Sequence, residues 1–201
     1  MSHVKHLSKD KTLSKALKQV GRIDLKKRKN VFASLCRSIM SQQLSTKVAD
    51  VIHSRFINLF GGKEPTPEQL LNTEHDTLRS IGLSNAKALY IKNVAQFAID
   101  KGLDVKTLHK MSNEELIEYL TEIKGVGKWT AEMILMFTLG REDVFAVDDL
   151  GIQSAMIGLY NLKVKDKKKF REKIISISIQ WSPYRTYACM YLWRWRDAGK
   201  V

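Results

Sequence analysis

Apolar positions along this 201-residue chain recur mainly three and four residues apart, and only three prolines interrupt them. That is the period of an amphipathic helix rather than of a strand, so the pattern predicts a nearly all-α fold. Leu13, Ala16, Leu17 and Val20 mark a first helix ended by Gly21. Phe32, Leu35, Cys36 and Ile39 mark a second, broken at Ser41–Ser45. Val48, Val51, Ile52, Phe56 and Leu59 mark a third, stopped by Gly61 and Gly62. Thr66-Pro67-Glu68-Gln69 combines a capping residue, proline at the first helical position and glutamine at the third, a strong helix start. A short helix follows over Thr73–Ile81. A longer one runs from a Ser84 cap through Ala98, with Leu89, Tyr90, Val94 and Phe97 expected inward. The turn Ile81-Gly82-Leu83, with Lys87 beyond it, reads as a turn only.

The stretch from Leu116 to Met156 is the organising one. Ser112 and Glu115 form a capping box, and Leu116, Ile117 and Leu120 share the apolar face of the helix it starts. A second helix is expected from Trp129 to Leu139, closed by Gly140. Between them lies Ile123-Lys124-Gly125-Val126-Gly127-Lys128, two glycines one residue apart flanked by lysines. Glycine permits positive φ and close backbone approach, and amides at a helix start attract anions. By itself this is an ordinary helix–helix corner; with the flanking lysines it is a candidate phosphate seat. Val144–Val147 reads as a buried extended run leading to the pair Asp148-Asp149, and three more helices follow over about 150–159, 167–180 and 183–197.

Charge narrows the choice of partner. The net charge is +13; residues 1–30 carry ten Lys/Arg and two Asp, and residues 163–173 carry seven Lys/Arg, Asp166 and Glu172, which accounts for the whole excess. Such clusters suit nucleic acid first and an anionic membrane surface second. For the N-terminal tail alone, a solvated basic segment is the expectation. The chain has no membrane-spanning run and no signal peptide core, so an intracellular location is expected. Two cysteines, Cys36 and Cys189, make neither a disulfide framework nor an iron–sulfur cluster, and the five histidines lack metal-ligand spacing. No catalytic metal is expected. The size suits one domain over 1–201, or two closely packed lobes.

The last helix is rich in aromatics: Tyr184, Tyr187, Tyr191, Trp193 and Trp195, with Trp181 before it and Arg185, Arg194 and Arg196 between. At helical spacing such rings are more often core, yet a cleft that stacks a base would want these residue types. Of Asp148 and Asp149, one suffices as a helix cap. A second carboxylate near a polyanion is useful when a reaction develops positive charge, as cleavage of a glycosidic bond does.

Gly125-Val126-Gly127-x-Trp129-Thr130-Ala131, the aspartate pair about twenty residues on, and Trp181-Ser182-Pro183-Tyr184-Arg185-x-Tyr187-Ala188 together resemble the helix-hairpin-helix DNA glycosylases. More narrowly, they are similar to the 3-methyladenine DNA glycosylase II branch, over about Val31 to Trp195. The resemblance implies an all-α, two-lobed fold with a DNA cleft between the lobes and flipping of a damaged nucleotide into a pocket. It implies Asp149 as the essential carboxylate and Asp148 as its non-catalytic neighbour. Trp129 stands where lyase-active relatives carry a Schiff-base lysine, with Lys128 one place off, so a monofunctional enzyme is implied.

The same resemblance assigns Trp193, Tyr187, Trp129 and Met133 to base binding, with Met133 where relatives can carry a tyrosine. It makes Gln43 the wedge that fills the gap left by the flipped nucleotide. Gln42, Lys124, Gly125, Val126, Gly127, Lys128 and Thr130 become DNA contacts. The hairpin backbone at Ile123 and Val126 is where such proteins can hold Na+ or K+; no other cofactor is implied. The chain is too short for the N-terminal β domain of longer members and resembles the compact form.

A cationic N3- or N7-alkylated purine leaves without protonation, so a single carboxylate suffices, and an aromatic pocket attracts such a base. The expected partner is double-stranded DNA with alkylated bases, bound by a monomer. Two rivals stand beside this reading: a glycosylase for oxidised or mismatched bases, and a non-catalytic helix-hairpin-helix DNA-binding module. The first would want the lysine nucleophile or cluster cysteines, and the second would need neither Asp149 nor the aromatic residues.

Overall fold

The computed structural model describes residues 2–28 and 30–200, the last by its backbone alone; Lys29, part of the basic run ahead of the second expected helix, lies outside them. Among the described residues there is no strand, as the apolar spacing predicts. In chain order the helices are α1 (His3–Leu7), α2 (Leu13–Val20), α3 (Val31–Ser41), α4 (Thr46–Leu59), α5 (Pro67–Asn72), α6 (His75–Ser80) and α7 (Asn85–Asp100). After them come α8 (Val105–Leu108), α9 (Asn113–Thr121), α10 (Lys128–Phe137), α11 (Leu150–Tyr160), α12 (Lys167–Ser178) and α13 (Arg185–Trp195). Among the described residues no helix is long and apolar enough to cross a membrane.

The chain forms two compact units, one from residues 1–26 and 140–201, the other from 27–139. In the second unit α3 packs on α4, α7 and α10, and α7 also packs on α5. Leu35, Ile39, Ile91, Val94 and Leu135 are fully buried there. Each such side chain contributes roughly 1.5–3 kcal/mol by leaving water. The starts are local: Thr66 with Gln69 and Ser112 with Glu115 both close complete capping boxes. One expected face is right only in part. Val94 and Phe97 are buried as expected, but Leu89 is 46% exposed, and α7 buries Ala88, Ile91 and Ala95 beside them. The face is chosen by what α3 and α5 present to it, which no local pattern contains.

In the first unit α13 packs on α2 and α11. The N-terminal segment is not the solvated tail its charge suggests: Leu7, Leu13, Ala16 and Ile23 are all buried. Asp10 fastens it. One carboxylate oxygen accepts the amides of Thr12 and Leu13 at 2.9 and 3.0 Å, at the start of α2. The other accepts Tyr160 Oη at 2.6 Å, Trp181 Nε1 at 2.9 Å and Gln180 Nε2 at 3.1 Å. A buried carboxylate is tolerable only when its lone pairs are filled, and these five donors fill them. Val144, Ala146 and Val147 are buried as expected, with Phe145 half-buried, and the run forms no strand.

Candidate functional site

The residues expected to carry chemistry fall into two groups, one in each unit. In the first, Asp149 is the N-cap of α11: its Oδ1 accepts the amide of Ile152 at 2.8 Å. The same oxygen accepts the indole N–H of Trp193 at 2.9 Å. Two donors from different helices therefore fix the rotation of this carboxylate. Asp148, its neighbour, points elsewhere and pairs with Arg171 on α12 at 2.9 Å, on the surface. The two aspartates expected to be distinguishable are held by different partners.

The approach to Asp149 is stapled to the start of α13. Thr186 Oγ1 donates to the Arg141 carbonyl at 2.6 Å and accepts the Val144 amide at 3.1 Å. Arg185 meets Asp143 through two nitrogens, at 2.7 and 3.0 Å, and Ser182 Oγ adds a third bond to the same carboxyl at 2.8 Å. Burial pushes the Asp143 carboxyl up, but the bonds from Arg185 and Ser182 outweigh it and hold the group below the usual carboxylate range. Thus the Ser182-Pro183-Tyr184-Arg185-Thr186 stretch sets the path of residues 141–144, which lead to the cap. Sequence reading assigned no role to Asp143 or Thr186; both partnerships span more than forty residues.

Tyr187, expected against a substrate, meets two neighbours. His3 stacks flat on its ring, with centroids 3.9 Å and planes 6° apart, and its hydroxyl donates to Glu142 at 3.2 Å. The ring contact joins α1 to α13. Gly151, in the first turn of α11, is covered by the Arg196 guanidinium: a Cβ there would lie 2.0 Å from Nη1. Arg196 thus sits over the first turn of the helix that Asp149 caps.

The second unit carries the hairpin. α9 ends at Thr121, the amide of Val126 returns to the Ile123 carbonyl at 2.9 Å, and α10 starts at Lys128 with Gly127 as its N-cap. Gly125 takes φ +107°, and a Cβ there would lie 2.3 Å from Cγ of Tyr90 on α7, so both its conformation and its neighbour require glycine. A Cβ on Gly127, by contrast, would meet nothing within 4 Å. The backbone faces open space where α10 begins, which is what an anion seat at a helix N-terminus needs. Lys124 and Lys128 are exposed on either side, Lys128 with Glu132 at 3.9 Å, while Val126 and Thr130 are buried. A DNA contact at those two positions falls to the backbone.

Trp129, in the first turn of α10, is 45% exposed, unusual for an indole. Met133, one turn on, lines a cavity of about 200 Å³ with Ser38 and Ser41 of α3 and Phe137 of α10. Gln43 follows α3, exposed, in the left-handed region at φ +57°. Gln42 beside it sends Nε2 to the Gly125 carbonyl at 3.4 Å, tying this loop to the hairpin. The Lys124 carbonyl accepts Asn93 Nδ2 at 3.1 Å. A hard monovalent cation takes carbonyl oxygens. The carbonyls of Lys124 and Gly125 are turned to side chains, and that of Ile123 accepts the Val126 amide. Among the described residues no group of three His, Cys, Asp or Glu could hold a metal.

Comparison with known proteins agrees with this arrangement. Residues 36–178 match the family described as HhH-GPD superfamily base excision DNA repair protein. The chain is 38% identical over 169 residues to DNA-3-methyladenine glycosylase 1 of Schizosaccharomyces pombe, an alignment covering 83% of this chain and 73% of that protein. It resembles the crystal structure of DNA-3-methyladenine glycosidase from Bacillus halodurans with a TM-score of 0.85 at 38% identity, covering 97% of this chain and 89% of that one. It also resembles the S. pombe 3-methyladenine DNA glycosylase in complex with abasic DNA, TM-score 0.88 at 33% identity, covering 100% and 99%. The chain belongs to the HhH-GPD superfamily of base excision DNA repair proteins.

Proposed function

We propose that this protein is a monofunctional DNA glycosylase that hydrolytically removes alkylated purines, of the 3-methyladenine and 7-methylguanine type, from double-stranded DNA. The observation that carries the reading is the carboxylate of Asp149 locked by Ile152 and Trp193 at the start of α11. A DNA-binding module has no use for an oriented negative charge, whereas a glycosylase does. As the bond between sugar C1′ and the base nitrogen breaks, its electron pair neutralises the cationic base. The sugar becomes oxocarbenium-like, and Asp149 stabilises it until water adds at C1′ and loses a proton.

The other roles follow from residue type and place. Trp193, bonded to Asp149, offers a ring face for stacking against an electron-poor base. Gln43 fills the space left by the extruded nucleotide. The hairpin amides and Lys124 and Lys128 take phosphate, and a monovalent cation on the carbonyls of Ile123 and Val126 would add positive charge beside it. One chain carries every residue invoked, so it acts as a monomer. The names of the relatives, and the abasic DNA in one of their structures, support this reading. Incubation with methylated duplex DNA tests it: free 3-methyladenine and 7-methylguanine should appear with wild type and not with Asp149→Asn. No release by wild-type protein would refute the reading.

A further inference from the structure

The loop after α3 is held by a lysine that no role yet described uses. Lys87, on the first turn of α7, donates Nζ to the carbonyl of Met40 at 3.0 Å and to that of Gln42 at 2.7 Å. The last carbonyls of a helix lack intrahelical partners, and a cation there also meets the negative end of the dipole. Gln43 follows directly, in a left-handed conformation that a residue other than glycine adopts only when its surroundings impose it. Burial lowers the Lys87 ammonium below the usual lysine range, consistent with a group turned inward to carbonyls rather than outward to solvent.

The same face of α7 grips the hairpin. Lys87, Tyr90 and Asn93 are spaced by three, so they lie along one side of the helix. Tyr90 packs against Gly125. Asn93 Nδ2 binds the Lys124 carbonyl, and Gln42 reaches the Gly125 carbonyl from the loop side. We propose that Lys87 is a positioning residue: by bridging the Met40 and Gln42 carbonyls it holds Gln43 in the shape needed to enter the duplex, on the same helix that sets the hairpin. This rests on Gln43 being the residue that fills the gap. Preorganisation of this kind strengthens binding by removing the cost of ordering the loop in the complex.

The test uses the full chain and two labelled duplexes, one intact and one carrying a stable abasic-site analogue. Lys87→Met should weaken binding to the abasic duplex roughly tenfold, the worth of a charged hydrogen bond. Affinity for intact duplex and its salt slope should not change. In a Gln43→Ala background Lys87→Met should have no further effect, and Lys87→Arg should restore most of the affinity. Thermal unfolding is followed in parallel, and Lys87→Gln serves if Lys87→Met does not fold. Loss on both duplexes with a shallower salt slope would make Lys87 a phosphate contact and overturn the proposal. So would a loss that persists without Gln43. If Gln43→Ala weakens abasic binding but Lys87→Met does not, Lys87 alone is misassigned. If Gln43→Ala itself has no effect, the wedge reading falls, and the proposal with it.

Discussion

Trp193 Nε1 lies 2.9 Å from Asp149 Oδ1, the oxygen that also caps α11. The carboxylate is thus at once a helix cap and the partner of an aromatic ring, and its two functions can be separated by substitution. Asp149→Asn keeps an acceptor for Ile152 and Trp193 but removes the charge. Asparagine caps helices about as well as aspartate, so thermal unfolding should shift little. A unit charge about 4 Å from the developing cation, at an effective dielectric near 20, is worth roughly 4 kcal/mol. Base release should therefore slow by about three decades. Asp148→Asn breaks a surface pair with Arg171, worth about 0–1 kcal/mol, and should leave the rate near wild type. Single-turnover release of 7-methylguanine measures both variants.

On the proposed reading, Trp129 takes the position at which a lysine would attack the sugar as an amine. With an indole there, borohydride should trap no covalent protein–DNA adduct, and the product strand should stay intact. The check is denaturing electrophoresis of labelled duplex after reduction. An adduct would point to Lys128, its neighbour on α10.

Lys124 and Lys128 flank the hairpin with exposed side chains. If they meet phosphates, replacing either by alanine should lower the slope of log affinity against log salt by about one unit per contact. Titrations of undamaged duplex at several salt concentrations give that slope. An unchanged slope would move the DNA away from this hairpin.

Some of this was legible because it is local. The capping boxes at Thr66 and Ser112, and Gly125 between α9 and α10, depend on residues within a few positions of each other. The aspartate pair stood out because a cap needs one carboxylate and the chain has two. Lys87 did not stand out: the carbonyls it holds are 47 and 45 residues away, and its own surroundings resemble an ordinary first helical turn. Leu89 was placed on the wrong face for the same reason, and α1 and α8 are too short to show a period. The basic N-terminus misled in part: of the residues by which it packs, Leu13, Ala16 and Leu17 read as an apolar face, but Leu7 and Ile23, isolated among charged residues, do not.

His3 gives that packing a pH dependence. Burial lowers its imidazole below the usual value of 6.5, outweighing Asp24, which raises it. As pH falls below about 6.5 the unfolded chain takes up this proton before the folded one, so the contribution to stability is present above that value and shrinks below it. His3→Gln should lose less thermal stability than wild type from about pH 7 to about pH 5. Parallel melts across that range decide it.

The bonds that Asp10 makes to Tyr160, Gln180 and Trp181 join positions 150 to 171 residues apart. During synthesis, residues 1–26 leave the ribosome with none of these partners, while residues 27–139 form a continuous stretch that contains its own core. Domains fold as units as they emerge. The unit bearing the hairpin and Gln43 therefore completes first, and the N-terminal segment waits, tethered and unpaired, for the last helix. The bond between Trp193 and Asp149 can form only after α13 has emerged, so a product ending at residue 139 would carry the hairpin and Gln43 without that carboxylate.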